Sequence, residues 1–195
     1  MNLFLEGLSG SGKSTLLREC LFPYKTQLGG FSSQRLWQEN YASYRIQPAD
    51  CFDLTADYTP DMEHVFRYHY KDTTVNSLEV FESYGVELLR DAAGYPLILL
   101  DEIGGSELLV PEFRENLYNL IKGPYNCIGV LKLSEKARYM GNSTGQAKDF
   151  GASNEELREL ITSLPDSKIL YFERENRDKI KNEINAFIDS IFIAR

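Results

Sequence analysis

The sequence predicts an α/β fold: a mostly parallel sheet with helices on both faces, a three-layer sandwich. Three observations carry this. Short apolar runs at 2–6, 97–100, 126–131 and 168–172 alternate with stretches of helical period. The first of these runs leads through a glycine-rich turn straight into an amphipathic stretch, the order of a buried strand feeding a crossover helix. The 195 residues show no internal repeat and no low-complexity linker, so one domain over 1–195 with a substantial core is expected.

The elements follow in chain order. Asn2 to Glu6 reads as the first strand. Lys13 to Leu21 reads as a helix burying Leu16, Leu17 and Leu21, and Phe22-Pro23 stops it because proline disfavours helical geometry in the residue before it. Gly29-Gly30 reads as a turn. Residues 30–37 and 41–46 then form two strands joined around Glu39-Asn40. Residues 47–75 mix Pro48, Pro60, acids and aromatics without a sustained period and read as loop with short strands. From Asn76 the residues Leu78, Phe81, Val86, Leu88 and Leu89 recur in a helical manner up to Gly94-Tyr95-Pro96. Leu97 to Leu100 is a buried strand ending at Asp101-Glu102. Pro111 opens a helix through Ile121 with Phe113, Leu117 and Leu120 on its apolar side. A strand at 126–131, a polar loop at 134–152, a helix at 154–164, a strand at 168–172 and an amphipathic helix at 176–193 complete the chain.

Composition narrows the function. With 29 acidic and 21 basic residues, the formal charge is −8. Sequence-independent binding of nucleic acid is not expected from such a surface, so an anionic ligand needs a dedicated site. Cys20, Cys51 and Cys127 are odd in number and widely spaced, which indicates neither a disulfide framework nor a zinc site. His64 and His69 have no third partner at ligand spacing and read as surface or packing residues. No run approaches the ~20 apolar residues of a membrane span, and no signal peptide is visible. A cytoplasmic chain is expected, with no membrane association and no protein partner indicated.

The dedicated anion site is in the first turn. Gly7, Leu8, Ser9, Gly10, Ser11, Gly12, Lys13 and Ser14 match the pattern G-x-x-x-x-G-K-[ST] at every fixed position, between a strand and a helix, with Thr15 next in the helix. Glycines let the backbone close into a concavity whose amides face phosphate oxygens, and the helix start adds its positive end. Lys13 would reach the β- and γ-phosphates and the Ser14 hydroxyl would ligate Mg²⁺. A second anchor for that ion is expected at the end of a neighbouring apolar strand, where Asp101 stands. Glu102, immediately after it, is positioned to activate a water for in-line attack. Lys13 and Glu102 are therefore the catalytic candidates, and Ser14 and Asp101 the metal candidates. The long stretch between Lys13 and Asp101 leaves room for inserted strands, as in ATPases that use a glutamate.

Taken together, the 7–14 loop, Gly29-Gly30-Phe31, Val75-Asn76, Asp101-Glu102-Ile103-Gly104 with Glu107-Leu108, and Glu175-Asn176-Arg177-Asp178 resemble the small P-loop nucleoside-triphosphatase family that includes cancer-related nucleoside-triphosphatase. The resemblance runs nearly end to end. It implies a fold close to RecA-type ATPases and nucleotide kinases, and Mg²⁺-dependent hydrolysis of several nucleoside triphosphates. It also implies that Arg177 contacts the nucleotide; the alternative is that residues 173–178 only cap the last helix. The chain departs from the family twice. Gly105-Ser106 replaces a pattern ending in methionine before Glu107, and Lys132-Leu-Ser-Glu-Lys-Ala-Arg138 replaces a His-Arg-Arg-like cluster. Lys132 and Arg138 are then the candidates for stabilising transition-state charge, against a solvated-surface reading. Trp37, Tyr41 and Tyr44 could stack a base or simply pack the sheet. A kinase and a nucleotide-gated binding module with slow hydrolysis are the alternative functions.

Overall fold

The alternation of side chains along the central strands decides where the helices sit. The computed structural model describes residues 1–38, 41–70, 73–134 and 147–193. Its strands and helices begin with β1 (Asn2–Glu6), α1 (Lys13–Leu21), β2 (Leu28–Gln38), β3 (Tyr41–Pro48), β4 (Thr55–Asp57), β5 (Val65–Tyr70) and β6 (Thr73–Asn76). They continue with α2 (Val86–Ala92), β7 (Leu97–Ile103), α3 (Pro111–Lys122), β8 (Cys127–Leu131), α4 (Ala147–Ser163), β9 (Ser167–Tyr171) and α5 (Arg177–Phe192). The sheet order is β6-β5-β3-β2-β7-β8-β1-β9, with β4 paired to β2.

From β2 through β9 the neighbours are parallel, as crossover helices require. Leu3 and Leu5 of β1, Leu97 and Leu99 of β7, and Ile128 and Val130 of β8 face α1 and α5, where Leu16, Leu17, Leu21, Ile180, Ile184 and Ile188 close a dry layer. Phe4, Ile98, Leu100 and Cys127 point the other way, against α2, α3 and α4 through Leu89, Phe113, Leu117, Leu157 and Ile161. Helices therefore cover both faces, as the sequence predicts.

Three expectations need correction. Gly29 and Gly30 are not a turn: they lie inside β2, with Gly30 opposite Leu99 of β7. Gly30 has φ +88, and a Cβ there would stand 2.3 Å from the Leu99 carbonyl oxygen, while one on Gly29 would meet the Tyr95 ring at 2.7 Å. Close backbone approach, not chain reversal, selects the pair. Gly30→Ala is expected to lower stability by at least ~2 kcal/mol through strain and overpacking; an unchanged urea midpoint would show that the strands separate at no cost. Asn76 closes β6 rather than opening a helix, and a π-helical turn at Phe81–Gly85 leads into α2. The helix expected at 154–164 starts at Ala147, and the expected polar loop is correspondingly shorter on that side. Residues 135–146 of that loop and the Glu39-Asn40 connection lie outside the described residues.

The short strands expected within 47–75 are β4, β5 and most of β6, and with the expected strand β3 they build a largely antiparallel wing. β3 pairs with β2, β5 with β3, and β6 with β5. The strands between the glycine loop and Asp101 in sequence are thus β2 to β6, whereas the strand standing between β1 and β7 in the sheet is β8.

Candidate functional site

At the carboxyl end of β1 the chain turns through residues 7–12 into α1. Gly7, Gly10 and Gly12 all have positive φ, the region that L side chains avoid. Gly7 also passes so close to the last strand that a Cβ would lie 2.4 Å from the Phe172 carbonyl oxygen. Lys13 is buried and folds back over this turn, its Nζ donating to the carbonyls of Gly7 at 2.9 Å and Leu8 at 2.7 Å. Leu8, Ser9, Gly10 and Thr15 are exposed around it, and Ser11 and Gly12 half-buried. Glu6, the last residue of β1, receives the guanidinium of Arg158 and so fixes α4 beside the start of the turn.

Asp101 reaches the same place from β7. Because side chains alternate, Leu97, Leu99 and Asp101 share the face toward α1. With β8 intervening, β7 runs about 10 Å from β1, and α1 spans that gap. Ser14 Oγ donates to Asp101 Oδ1 at 2.8 Å, and Arg18 Nη1 donates to Asp101 Oδ2 at 2.9 Å. Ser14 and Arg18 are four residues apart and therefore on one side of the helix. Asp101 is 2% exposed and Arg18 5%. Burial pushes the Asp101 carboxyl upward, while the Arg18 charge and the Ser14 hydrogen bond pull it back. Arg18 Nε and Nη2 are buried without a hydrogen-bond partner. Sequence reasoning missed Arg18, since an arginine between Leu17 and Glu19 looks like a solvated helix position. Its i+4 relation to Ser14 was the available signal.

Glu102 points elsewhere. Asp101 is opposite Val130 and Ile103 opposite Leu131, so Glu102 is an extra residue that interrupts the ladder. Such a bulge re-aims a side chain. Its Oε2 lies 3.9 Å from Lys132 Nζ, at the end of the adjacent strand. The backbone around this pair is pinned: Lys132 N donates to the Ile103 carbonyl at 2.9 Å, and Asn154 Nδ2 on α4 donates to the carbonyls of Gly104 at 2.8 Å and Lys132 at 3.2 Å. Glu107, on the 3₁₀ turn Ser106–Leu109, is also buried here. Lys132, one of the two cations expected from sequence, therefore stands beside Glu102, whereas Arg138 is outside the described residues.

Arg177 opens α5 and is engaged by Glu19 of α1, which also takes Lys181; the Lys181 ammonium holds the Glu19 carboxyl low. The neighbouring motif residues form a capping box, with Asn176 Oδ1 accepting the Glu173 amide at 3.0 Å. Trp37, Tyr41 and Tyr44 sit on the antiparallel wing. Ser32 of β2 is level with Asp101, so Trp37 lies ~16 Å farther along the strand, where Arg35 covers its ring. Tyr44 packs toward Phe66. His64 stacks on Tyr84 at 3.6 Å, in keeping with a packing role. Among the described residues no helix is long and apolar enough to cross a membrane.

A family described as NTPase matches residues 2–185 of the chain. The crystal structure of THEP1 from the hyperthermophile Aquifex aeolicus superposes with a TM-score of 0.67 at 20% identity, over 97% of this chain and 99% of that one. The solution structure of a human cancer-related nucleoside triphosphatase does so with a TM-score of 0.55 at 19% identity, over 97% of each chain. A search of curated sequences finds no match. At these identities the two structures establish the fold, a P-loop NTPase sheet with its flanking helices.

Proposed function

The chain belongs to the NTPase family, and from that premise we propose that it is a Mg²⁺-dependent nucleoside-triphosphatase, converting ATP- or GTP-type nucleotides to the diphosphate and phosphate. The observation that carries this reading is the 2.8 Å contact between Ser14 Oγ and Asp101 Oδ1. It brings a helix-start hydroxyl and a strand-end carboxylate to one point beside the glycine turn, a pair of hard oxygen donors suited to Mg²⁺. Among the described residues no group of three or more His, Cys, Asp and Glu gathers to hold a metal. Ser14 and Asp101 would then share the ion with phosphate oxygens and water. An Mg²⁺ held there would supply compensation for phosphate negative charge.

The chain's own residues would do the rest. Backbone amides of residues 7–12 and the start of α1 hold the phosphates, and Lys13 leaves the Gly7 and Leu8 carbonyls for the β- and γ-oxygens. Glu102 takes a proton from a water as its oxygen attacks the γ-phosphorus. The bond from that phosphorus to the β-phosphate bridging oxygen breaks, and the diphosphate leaves with the electron pair. Lys132, beside Glu102, faces the charge on the transferring group. Arg177 is proposed to contact the nucleotide from beside α1, exchanging Glu19 for it.

The test is phosphate release from ATP, GTP, CTP and UTP, with Mg²⁺ and with EDTA. Release is expected only with Mg²⁺, and Lys13→Ala is expected to reduce it at least ~100-fold. Release of diphosphate only when a hydroxyl acceptor is added would make the chain a kinase. Folded wild type and Lys13→Ala that are equally inactive would leave a nucleotide-gated binding module.

A further inference from the structure

Glu107 is the buried titratable group that the proposed reaction leaves unused. It is 4% exposed, and Leu108 next to it is fully buried and anchors the turn in the core. Enclosing a carboxylate is costly unless hydrogen bonds and an opposite charge compensate. Its Oε1 accepts the Gly105 amide at 2.6 Å. The opposite charge that acts on it is Lys132: a Cβ built on Gly105 would lie 2.7 Å from both Glu107 Oε2 and Lys132 Nζ, so the two groups flank that glycine without closing to an ion pair. Carboxylate oxygen and ammonium thus converge on one glycine, whose missing side chain leaves them room.

The same ammonium faces Glu102 across 3.9 Å, beyond the 2.7–2.9 Å of a charge-assisted hydrogen bond. Lysine is a point charge on a flexible four-carbon stem. The base of this stem is fixed through the Ile103 carbonyl and Asn154. Its tip has two carboxylates to choose between. If Glu102 took it alone, the tight ion pair would favour the ionised carboxylate and so weaken it as the base that must accept the proton from water.

We propose that Glu107 is a positioning residue: by sharing the Lys132 ammonium across Gly105, it keeps that charge from closing onto Glu102 and holds it ready for the transferring phosphoryl group. The inference rests on the hydrolytic reading given above. It explains why a Glu-Leu pair follows the strand-end acids at this spacing: the leucine anchors the turn in the core and the glutamate addresses the lysine.

Glu107→Gln separates this role from a merely structural one, because the amide oxygen can still accept the Gly105 N–H. The expected result is a kcat at least ~10-fold lower, with the nucleotide KM within about twofold, partly restored by Glu107→Asp. In a Lys132→Met background Glu107→Gln is expected to cost nothing further, because Glu107 acts through Lys132. An unchanged kcat in the single variant, or effects that multiply in the double, overturns the proposal. Should Glu107→Gln not fold, Glu107→Asp carries the same comparison. A second readout needs no turnover. After reductive ¹³C-methylation, the Lys132 resonance of the nucleotide-free protein, assigned with Lys132→Arg, is expected to move on Glu107→Gln or Glu107→Asp. A resonance that stays still overturns the proposal that Glu107 acts on Lys132. Absence of phosphate release from wild type would instead sink the hydrolytic reading and leave the resonance result standing.

Discussion

Glu102→Gln is expected to bind Mg²⁺-nucleotide as wild type does while phosphate release falls at least ~100-fold, the range of a lost general base. The expectation comes from the division of labour at the end of β7. Asp101 faces α1 and is tied to Ser14 and Arg18, so the side of the site proposed to hold phosphate and metal does not depend on its neighbour. Glu102 is the extra residue of the β7–β8 ladder, with a side chain 38% exposed beside Lys132. An amide fills the same space and still presents an oxygen toward the Lys132 ammonium, but it cannot take a proton from water. Calorimetric titration with a non-hydrolysable nucleotide checks binding, and single-turnover phosphate release checks the chemistry. Comparable loss of both would assign Glu102 to binding. Turnover near that of wild type would remove it from the mechanism.

What the sequence makes legible at this site is what backbone geometry dictates. The loop residues, Lys13 and Ser14 are readable because a strand, a glycine turn and a helix start have few ways to be arranged. The place of Asp101 beside the loop is readable because an apolar run that ends in a carboxylate suits a buried strand in the same sheet as β1 whose end reaches the helix start. Arg18 and Glu107 are hidden for the opposite reason. Each is a charged residue in a segment where charge is ordinarily solvated, and only tertiary packing encloses it. Lys132 stood between the two, a named candidate whose neighbour became visible only once β7 and β8 were paired.

The fold divides along similar lines. The parallel core was readable from apolar runs and helical spacing. Of the wing, β2 and β3 were readable as two joined strands, but β5 and β6 were not placed, because they are half-exposed and the register shifts between Tyr44 and Arg45 where β5 meets β3, which destroys a clean period of two. The glycines of β2 imitate a turn because an uncrowded reversal and a crowded strand both require the absence of Cβ. The early start of α4 is hidden by poor helix formers, Gly151, Ser153 and Asn154. All three are buried, and Asn154 bonds the Gly104 and Lys132 carbonyls, so packing outweighs propensity there.

Arg18→Met is expected to destabilise the nucleotide-free protein by about 3–5 kcal/mol at neutral pH, the cost of removing one partner from a buried ion pair. Methionine keeps the unbranched stem and the apolar contacts of α1, so the loss reports the charge. Ser14 remains as a hydrogen-bond donor but offers no compensating charge. A double variant that also carries Asp101→Asn is expected to recover most of the loss, because it leaves no uncompensated charge behind. The pH dependence has a definite sign. Without Arg18 the burial that raises the Asp101 carboxyl is opposed only by Ser14, so the folded-state value lies further above the unfolded value of about 3.9. A group raised in this way contributes its stability below the unfolded value and loses it as pH climbs through the folded one. The deficit of Arg18→Met relative to wild type should therefore widen between pH 4 and 7, as read from urea denaturation at each pH. A deficit that is flat across that range, or that persists undiminished in the Asp101→Asn background, would show that Arg18 stabilises α1 by packing alone. If the predicted pattern holds, Arg18 is the counter-ion that lets the chain keep a buried carboxylate beside the glycine turn.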